Sequence, residues 1–235
     1  MSTFQFKQFS VQNEKSAMKV NTDSVLLGAW AQNSEDAKIG LDIGSGTGIL
    51  ALMLAQRNPT LEIIGVEIEP KSFEESKFNF NISPWKKRLT AVNLPIQKYE
   101  YNSPFDFIIT NPPYFENDLK NEDKNKATAR HTDSLSFQNL VNFIENNLSQ
   151  KGNFNLILPL NESEIFREIA KQTSLHLIRI AFVKPNEKKS VNRVMMTFSK
   201  TKKELEKEAF CVYQSHQVYS QRHHELTKDF YLDKK

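Results

Sequence analysis

Leu41-Asp42-Ile43-Gly44-Ser45-Gly46-Thr47-Gly48 decides how the rest of the chain reads. An apolar run over 39–43 meets three glycines at alternate positions. A helical stretch then begins at Thr47 and closes at Asn58-Pro59. A strand that turns this sharply into a helix needs glycine, both for the tight turn and for close approach of backbone to a ligand. The helix start behind the turn offers unpaired N–H groups and a positive dipole end, suited to a carboxylate or phosphate. The dinucleotide pattern GxGxxG would put its third glycine at position 49, where Ile49 stands. The spacing here is GxGxG, with an acid, Asp42, ahead of it.

Outward from this loop, apolar runs at 61–67, 89–93, 105–110, 154–158, 175–183 and 191–199 read as strands. Helical patterns fall at 70–81, 134–148 and 161–172, with Gly152 starting the turn into the strand after it. Strands alternating with crossover helices make a parallel sheet covered on both faces. The segment between the last two runs, 184–190, is too short for a parallel crossover, so the last strand is expected to be antiparallel. The expected fold is α/β: a doubly wound, mostly parallel, seven-stranded Rossmann-like sheet with an antiparallel last strand, the methyltransferase variant of that plan. It forms a single domain, 39–235, with a leader, 1–38, packed on it. Residues 116–130, rich in Asn, Lys and Asp, read as a long mobile loop. Phe78, Phe80, Phe105, Phe107, Phe154 and Phe166 fall at core-like positions.

Composition bounds the function. Of 235 residues, 39% are hydrophobic and 25% charged, ordinary for a globular protein. No run reaches the ~18 apolar residues of a membrane span, and the start lacks a signal-peptide core. A single cysteine, Cys211, excludes an internal disulfide framework and a CxxC zinc site. His216, His223 and His224 lack the spacing of a metal site and read as surface residues, so no metal is expected. The expected setting is the cytoplasm, as a monomer. Lys+Arg 31 against Asp+Glu 28 permits a nucleic-acid partner without arguing for one. The segment 184–203 concentrates seven of the bases with one acid, and such a hairpin is suited to an RNA backbone.

Two loops carry the chemistry. Asp42 is placed to accept from the amino group of an amino-acid moiety, and Glu67, at the second strand end, to accept ribose hydroxyls. Together with Gly44, Gly46 and Gly48 they point to S-adenosylmethionine. Asn111-Pro112-Pro113-Tyr114 follows the fourth strand, at the same sheet edge. A planar amine hides its lone pair by conjugation. The Asn111 side-chain oxygen and the Pro112 carbonyl can each accept one of its N–H groups, orienting it and stabilising the charge that develops on nitrogen. Pro113 stiffens the loop, and Tyr114 offers a ring to a flat base. On these residues alone the amine stays open: adenine in DNA or RNA, guanine, or a glutamine amide. A non-catalytic module that retains cofactor and binds RNA is the alternative from another class; intact Asp42, Glu67 and Asn111 argue against it.

The two loops resemble those of class I S-adenosylmethionine-dependent amino-methyltransferases. Phe6-Lys7-Gln8-Phe9, the stretch Met18-Lys19-Val20-Asn21-Thr22-Asp23-Ser24-Val25-Leu26-Leu27-Gly28-Ala29-Trp30, Ala129-Arg130-His131 and Leu226-Thr227-Lys228-Asp229-Phe230-Tyr231-Leu232 narrow the likeness. They resemble the bacterial tRNA(Val) adenine N6-methyltransferase family over nearly the whole chain. The resemblance implies a valine tRNA as partner, with methylation of the adenine 3′ to the anticodon, and Thr22 and Asp23 as cofactor-pocket residues. Asn21 stands where that family often has Gly, a turn Asn tolerates at positive φ. Asn93 stands near the family's adenine-binding Asp and is expected to accept from the cofactor's adenine amine.

Overall fold

A computed structural model describes residues 2–16, 18–32, 36–112 and 135–232. The leader opens with a hairpin, β1 (Thr3–Gln5) and β2 (Ser10–Gln12), followed by helix α1 (Thr22–Trp30). The central elements are β3 (Ile39–Ile43), α2 (Ile49–Arg57), β4 (Glu62–Glu67), α3 (Pro70–Ile82), β5 (Leu89–Asn93) and β6 (Phe105–Thr110). After these come α4 (Phe137–Asn147), β7 (Leu148–Pro159), α5 (Leu160–Ala170), β8 (His176–Asn186) and β9 (Arg193–Ser199). The chain closes with β10 (Glu206–Ser215), β11 (Val218–Tyr219) and α6 (Gln221–Thr227).

The large sheet runs β11-β10-β8-β9-β7-β6-β3-β4-β5. Strands β3 to β7 are parallel, and β9 is antiparallel to both β7 and β8. The seven expected strands, the last of them antiparallel, are therefore present. The sheet also continues past β8 through β10, parallel to it, and β11. Glu206 and Glu208 make β10 look like a loop in sequence. Glu206, opposite Arg179 of β8, and Glu208, two positions on, both pair with that arginine, at 3.6 and 3.0 Å.

Alternation along each strand divides the core. Phe107 and Ile109 face α1, α2 and the leader, while Ile108 between them faces α4 and α5. Phe105 joins the latter cluster across the register irregularity between Phe105 and Phe107. Phe80, Phe154 and Phe166 are buried as expected, but Phe78 is exposed, because it sits on the outward side of α3. β7 is longer than its apolar run. It begins at Leu148, and Gly152 lies in a bulged stretch rather than a turn before the strand, where a Cβ would come within 2.9 Å of the Phe105 carbonyl oxygen. Asn21 is at φ −139°, not in a left-handed turn. It caps α1 by accepting from Ser24 N at 2.9 Å.

The leader is fastened to α3 by two buried polar side chains. The Glu75 carboxylate accepts from the backbone N–H groups of Glu14 (2.6 Å), Lys15 (2.8 Å) and Ser16 (2.9 Å). Burial alone would raise the Glu75 pKa, but these donors outweigh it and lower the value. Asn79 accepts from Gln12 N and donates to the carbonyls of Gln12 and Thr47, joining β2 to the glycine loop. Glu75→Ala strands three backbone donors and is expected to cost about 2–4 kcal/mol of stability by urea denaturation. A loss below about 1 kcal/mol would show that water replaces the carboxylate freely.

Candidate functional site

The carboxyl ends of β3, β4 and β6 surround a cleft of about 330 Å³ at the point where the strand order reverses. Gly44, Gly46, Glu67, Asn111 and Pro112 all line it. The loop after β3 passes through positive φ at Gly44 (67°), Gly46 (55°) and Gly48 (80°). Gly44 N and Ser45 N both donate to Val66 O, at 2.8 and 3.2 Å, which folds the loop over β4. A Cβ at Gly44 would meet nothing within 4 Å, and one at Gly46 only the Gly44 carbonyl oxygen at 4.0 Å. Both glycines thus keep open space that a side chain would occupy. Gly48 differs: it does not line the cleft, and a Cβ there would fall 2.5 Å from the Phe80 ring. Its role is to let α2 start against α3.

Glu67 is buried at the end of β4. Its two oxygens accept from Gly46 N and Glu69 N, each at 2.9 Å. A carboxylate has about four lone-pair sites, so two remain for hydroxyls of a ligand. Asn93 lies behind this corner and does not line the cleft. Its amide nitrogen donates to the carbonyls of Glu67 (2.7 Å) and Ile68 (3.1 Å) and holds the chain after β4 in place. The exposed side chains of Ile68 and Leu94 line the cleft on either side of that corner. No local motif marks either residue; the available signal is their position directly after an acidic or polar strand end.

Asp42 is fully buried and does not open on the cleft. Its Oδ2 accepts from Ala51 N at 3.2 Å, in the first turn of α2, and its Oδ1 has no partner. Burial raises its pKa to about 7; the Ala51 bond opposes the rise and the Glu67 charge adds to it.

Asn111 is buried directly after β6. Its Nδ2 donates to Ser24 Oγ at 3.0 Å and approaches Met18 Sδ at 3.5 Å, while its Oδ1 has no partner. Met18 also lines the cleft. The leader thus sets the amide's orientation, a contact across 87 positions that no local pattern reveals. Pro113 and Tyr114, together with 116–130 and Ala129-Arg130-His131, lie outside the described residues.

The leader residues divide. Thr22 lines a separate cavity, not this cleft, and Asp23 pairs with Arg193 of β9 at 2.7 Å. The basic segment divides too. Val183 pairs with Arg193 and Pro159 with Arg193 in the sheet, so Lys184, Lys188 and Lys189 sit at the cleft's edge of the sheet. Lys200, Lys202 and Lys203 follow the far end of β9, about 20 Å away. Lys200 donates to Leu148 O. Of the three histidines, His216 and His224 are exposed, but His223 is buried: α6 stacks its ring on Tyr219 with Tyr231 beside both.

The methyltransferase small domain family matches residues 13–158. Proteins named tRNA1(Val) (adenine(37)-N6)-methyltransferase are similar over their full length. That of Pseudoalteromonas translucida is 43% identical, covering 99% of each chain. That of Flavobacterium psychrophilum is 37% identical, covering 97% of this chain and 99% of its own. Among solved structures, a protein of Agrobacterium tumefaciens described as a predicted O-methyltransferase superposes with TM-score 0.67 at 14% identity, covering 88% of this chain and 96% of that one. At that identity the likeness concerns the fold.

The buried charge sets a pH dependence. A carboxyl whose folded pKa lies above the unfolded value near 3.9 stabilises the fold fully below that value and loses the contribution as pH rises toward 7. Relative to wild type, the unliganded Asp42→Asn variant should therefore gain up to about 4 kcal/mol between pH 4 and pH 8 in urea denaturation. Parallel pH profiles would show that Asp42 is already ionised when folded.

Proposed function

Because the chain belongs to the tRNA1(Val) (adenine(37)-N6)-methyltransferase family, we propose that it transfers a methyl group from S-adenosylmethionine to the exocyclic N6 of adenine 37, 3′ to the anticodon of tRNA(Val). The observation that carries the chemistry is the Asn111 carboxamide, buried at the cleft with its nitrogen engaged and its oxygen unpartnered. Such an oxygen is an acceptor whose orientation needs no reorganisation at the moment of reaction. With the Pro112 carbonyl it takes the two N–H groups of the adenine amine. The nitrogen lone pair is then turned out of conjugation and toward the methyl donor. Tyr114 is assigned the stacking of the extruded base from its place in the sequence.

Gly44 and Gly46 leave room for the cofactor, Glu67 accepts ribose hydroxyls, and Ile68 and Leu94 cover its flat ring. Asp42 acts from beneath the loop, through the start of α2. Bound there, S-adenosylmethionine supplies a methyl on a positively charged sulfur, electrophilic enough for an amine with an exposed lone pair. On this reading the protein is a monomer working in the cytoplasm. Among the described residues no helix is long and apolar enough to cross a membrane.

Asn111→Ala should slow single-turnover methylation of tRNA roughly a hundredfold to a thousandfold while calorimetry shows unchanged cofactor affinity. A wild-type rate in that variant refutes the reading. The RNA backbone is assigned to the cleft-side lysines. Lys188→Glu with Lys189→Glu should weaken tRNA binding and lower the log–log salt slope by about two. The same reversal at Lys202 and Lys203, at the far edge, should leave both unchanged.

A further inference from the structure

A second cavity, about 880 Å³, is lined by leader residues Val20, Asn21 and Thr22, just beyond Met18 of the cleft. Its walls come from β1, the turn into α1, the β10–β11 hairpin, α6 and the chain that follows. β10 runs parallel to β8, with Tyr213 opposite Asn186, so the hairpin tip stands at the same sheet edge as the catalytic cleft. Met18 lines the cleft and Thr22 lines the cavity. They are four positions apart, a span of at most about 14 Å.

The cavity is built on flat rings. Tyr219 stacks on His223 (4.0 Å, 8°) and Tyr213 (5.0 Å, 16°), and Tyr231 lies nearly parallel to Tyr219 (10°) and to Phe6 (12°). Phe4, Tyr219 and Tyr231 belong to the lining. Burial raises the Tyr219 and Tyr231 pKa values, so both phenols stay neutral. Among the described residues no carboxylate lines the cavity, and Lys228 brings a positive charge to it. Val218 and Leu232 stand at the wall with 52% and 55% of their surface exposed. Gln217, at the hairpin tip, is the one non-glycine residue at positive φ (59°) among the described residues, and it too lines the cavity. Backbone strain of this kind persists where the surroundings require a particular turn.

Tyr219 is itself sandwiched between His223 and Tyr213, so the cavity offers the outer surface of this stack with Phe4, Tyr231 and the exposed Val218 and Leu232. Such an aromatic and apolar lining takes a planar ring, and Lys228 favours one carried on an anionic backbone. We infer that this cavity holds a second, unpaired base of the anticodon loop, flanking the one presented to Asn111. The inference rests on the proposed tRNA substrate. It makes the leader a divider between two nucleotides: one for chemistry on the Met18 side and one for grip on the Thr22 side. Sequence-tolerant stacking of this kind supplies affinity that the phosphate contacts alone do not.

The test uses the full chain and tRNA(Val) transcripts, each lacking one base of the anticodon loop (an abasic series), with affinity read by fluorescence anisotropy at fixed salt. Wild type should lose about 5- to 100-fold in affinity at one position other than the target adenine. Val218→Glu, which sets a negative charge on the exposed wall, should show the same loss with intact tRNA and no further loss with that abasic transcript. Leu232→Glu repeats the measurement at the opposite wall if the first variant melts early. Calorimetry with S-adenosylmethionine should be unchanged in both. Intact-tRNA affinity equal to wild type in both folded variants, or losses that simply multiply with the abasic loss, overturns the inference. A wild-type protein that methylates tRNA while showing no abasic sensitivity overturns the cavity assignment alone. One that neither binds nor methylates tRNA overturns the substrate reading and this inference with it.

Discussion

Everything at the catalytic edge depends on a backbone that must enter the left-handed region three times in five residues, at Gly44, Gly46 and Gly48. L-residues pay roughly 1–2 kcal/mol for each such conformation, so the path is open in practice only to glycine. Once taken, it imposes the neighbourhood. Val66 O receives two loop N–H groups, Glu67 receives a third, and the Phe80 ring fills the place a side chain at Gly48 would need. Asn79 then ties the Thr47 carbonyl to the leader. One turn thus aligns β3, β4, α3 and the first strand pair.

The leader is a working wall rather than a tail. Glu75 and Asn79 hold it at five backbone groups, among them those just ahead of the segment that reaches the cleft. Ser24 and Met18 then engage the Asn111 nitrogen, which leaves the oxygen as the acceptor. A carboxamide is nearly symmetric in shape, and only its donors and acceptors distinguish its two ends. The Met18 thioether, which can only accept, supplies that distinction from the segment ahead of α1, and the Ser24 hydroxyl, which can donate or accept, follows it.

The far side of the sheet follows another logic. β10 joins an edge that would otherwise expose unpaired backbone. Arg179 is where charge and packing meet: its guanidinium lies 4.0 Å over the Trp30 ring and pairs with Glu208, which also accepts from Trp30 Nε1 and pairs with Arg222. This partly buried network fixes β10, α1 and α6 together and brings the ring stack beside the turn into α1.

The amino-acid sequence by itself determined the parallel sheet, its order of elements, the glycine turn, and the meeting of Glu67, Asn111 and Pro112 at one edge. Those features rest on periodicity, glycine spacing and strand ends, all of which are local. What tertiary structure decided was where each side chain points. Asp42 turned inward beneath α2, Gly48 went to packing against Phe80, Asn93 to a backbone clamp, and Asp23 to Arg193. His223 went to a buried ring stack, and β10 took its place as a strand through a charge partner on β8. Burial decides Asp42 and His223, and each of the others depends on a partner 25 to 170 positions away, beyond any local window along the chain. Local rules place a residue on an element, but the distant partner sets its job, because a buried polar group must be matched wherever the fold delivers one.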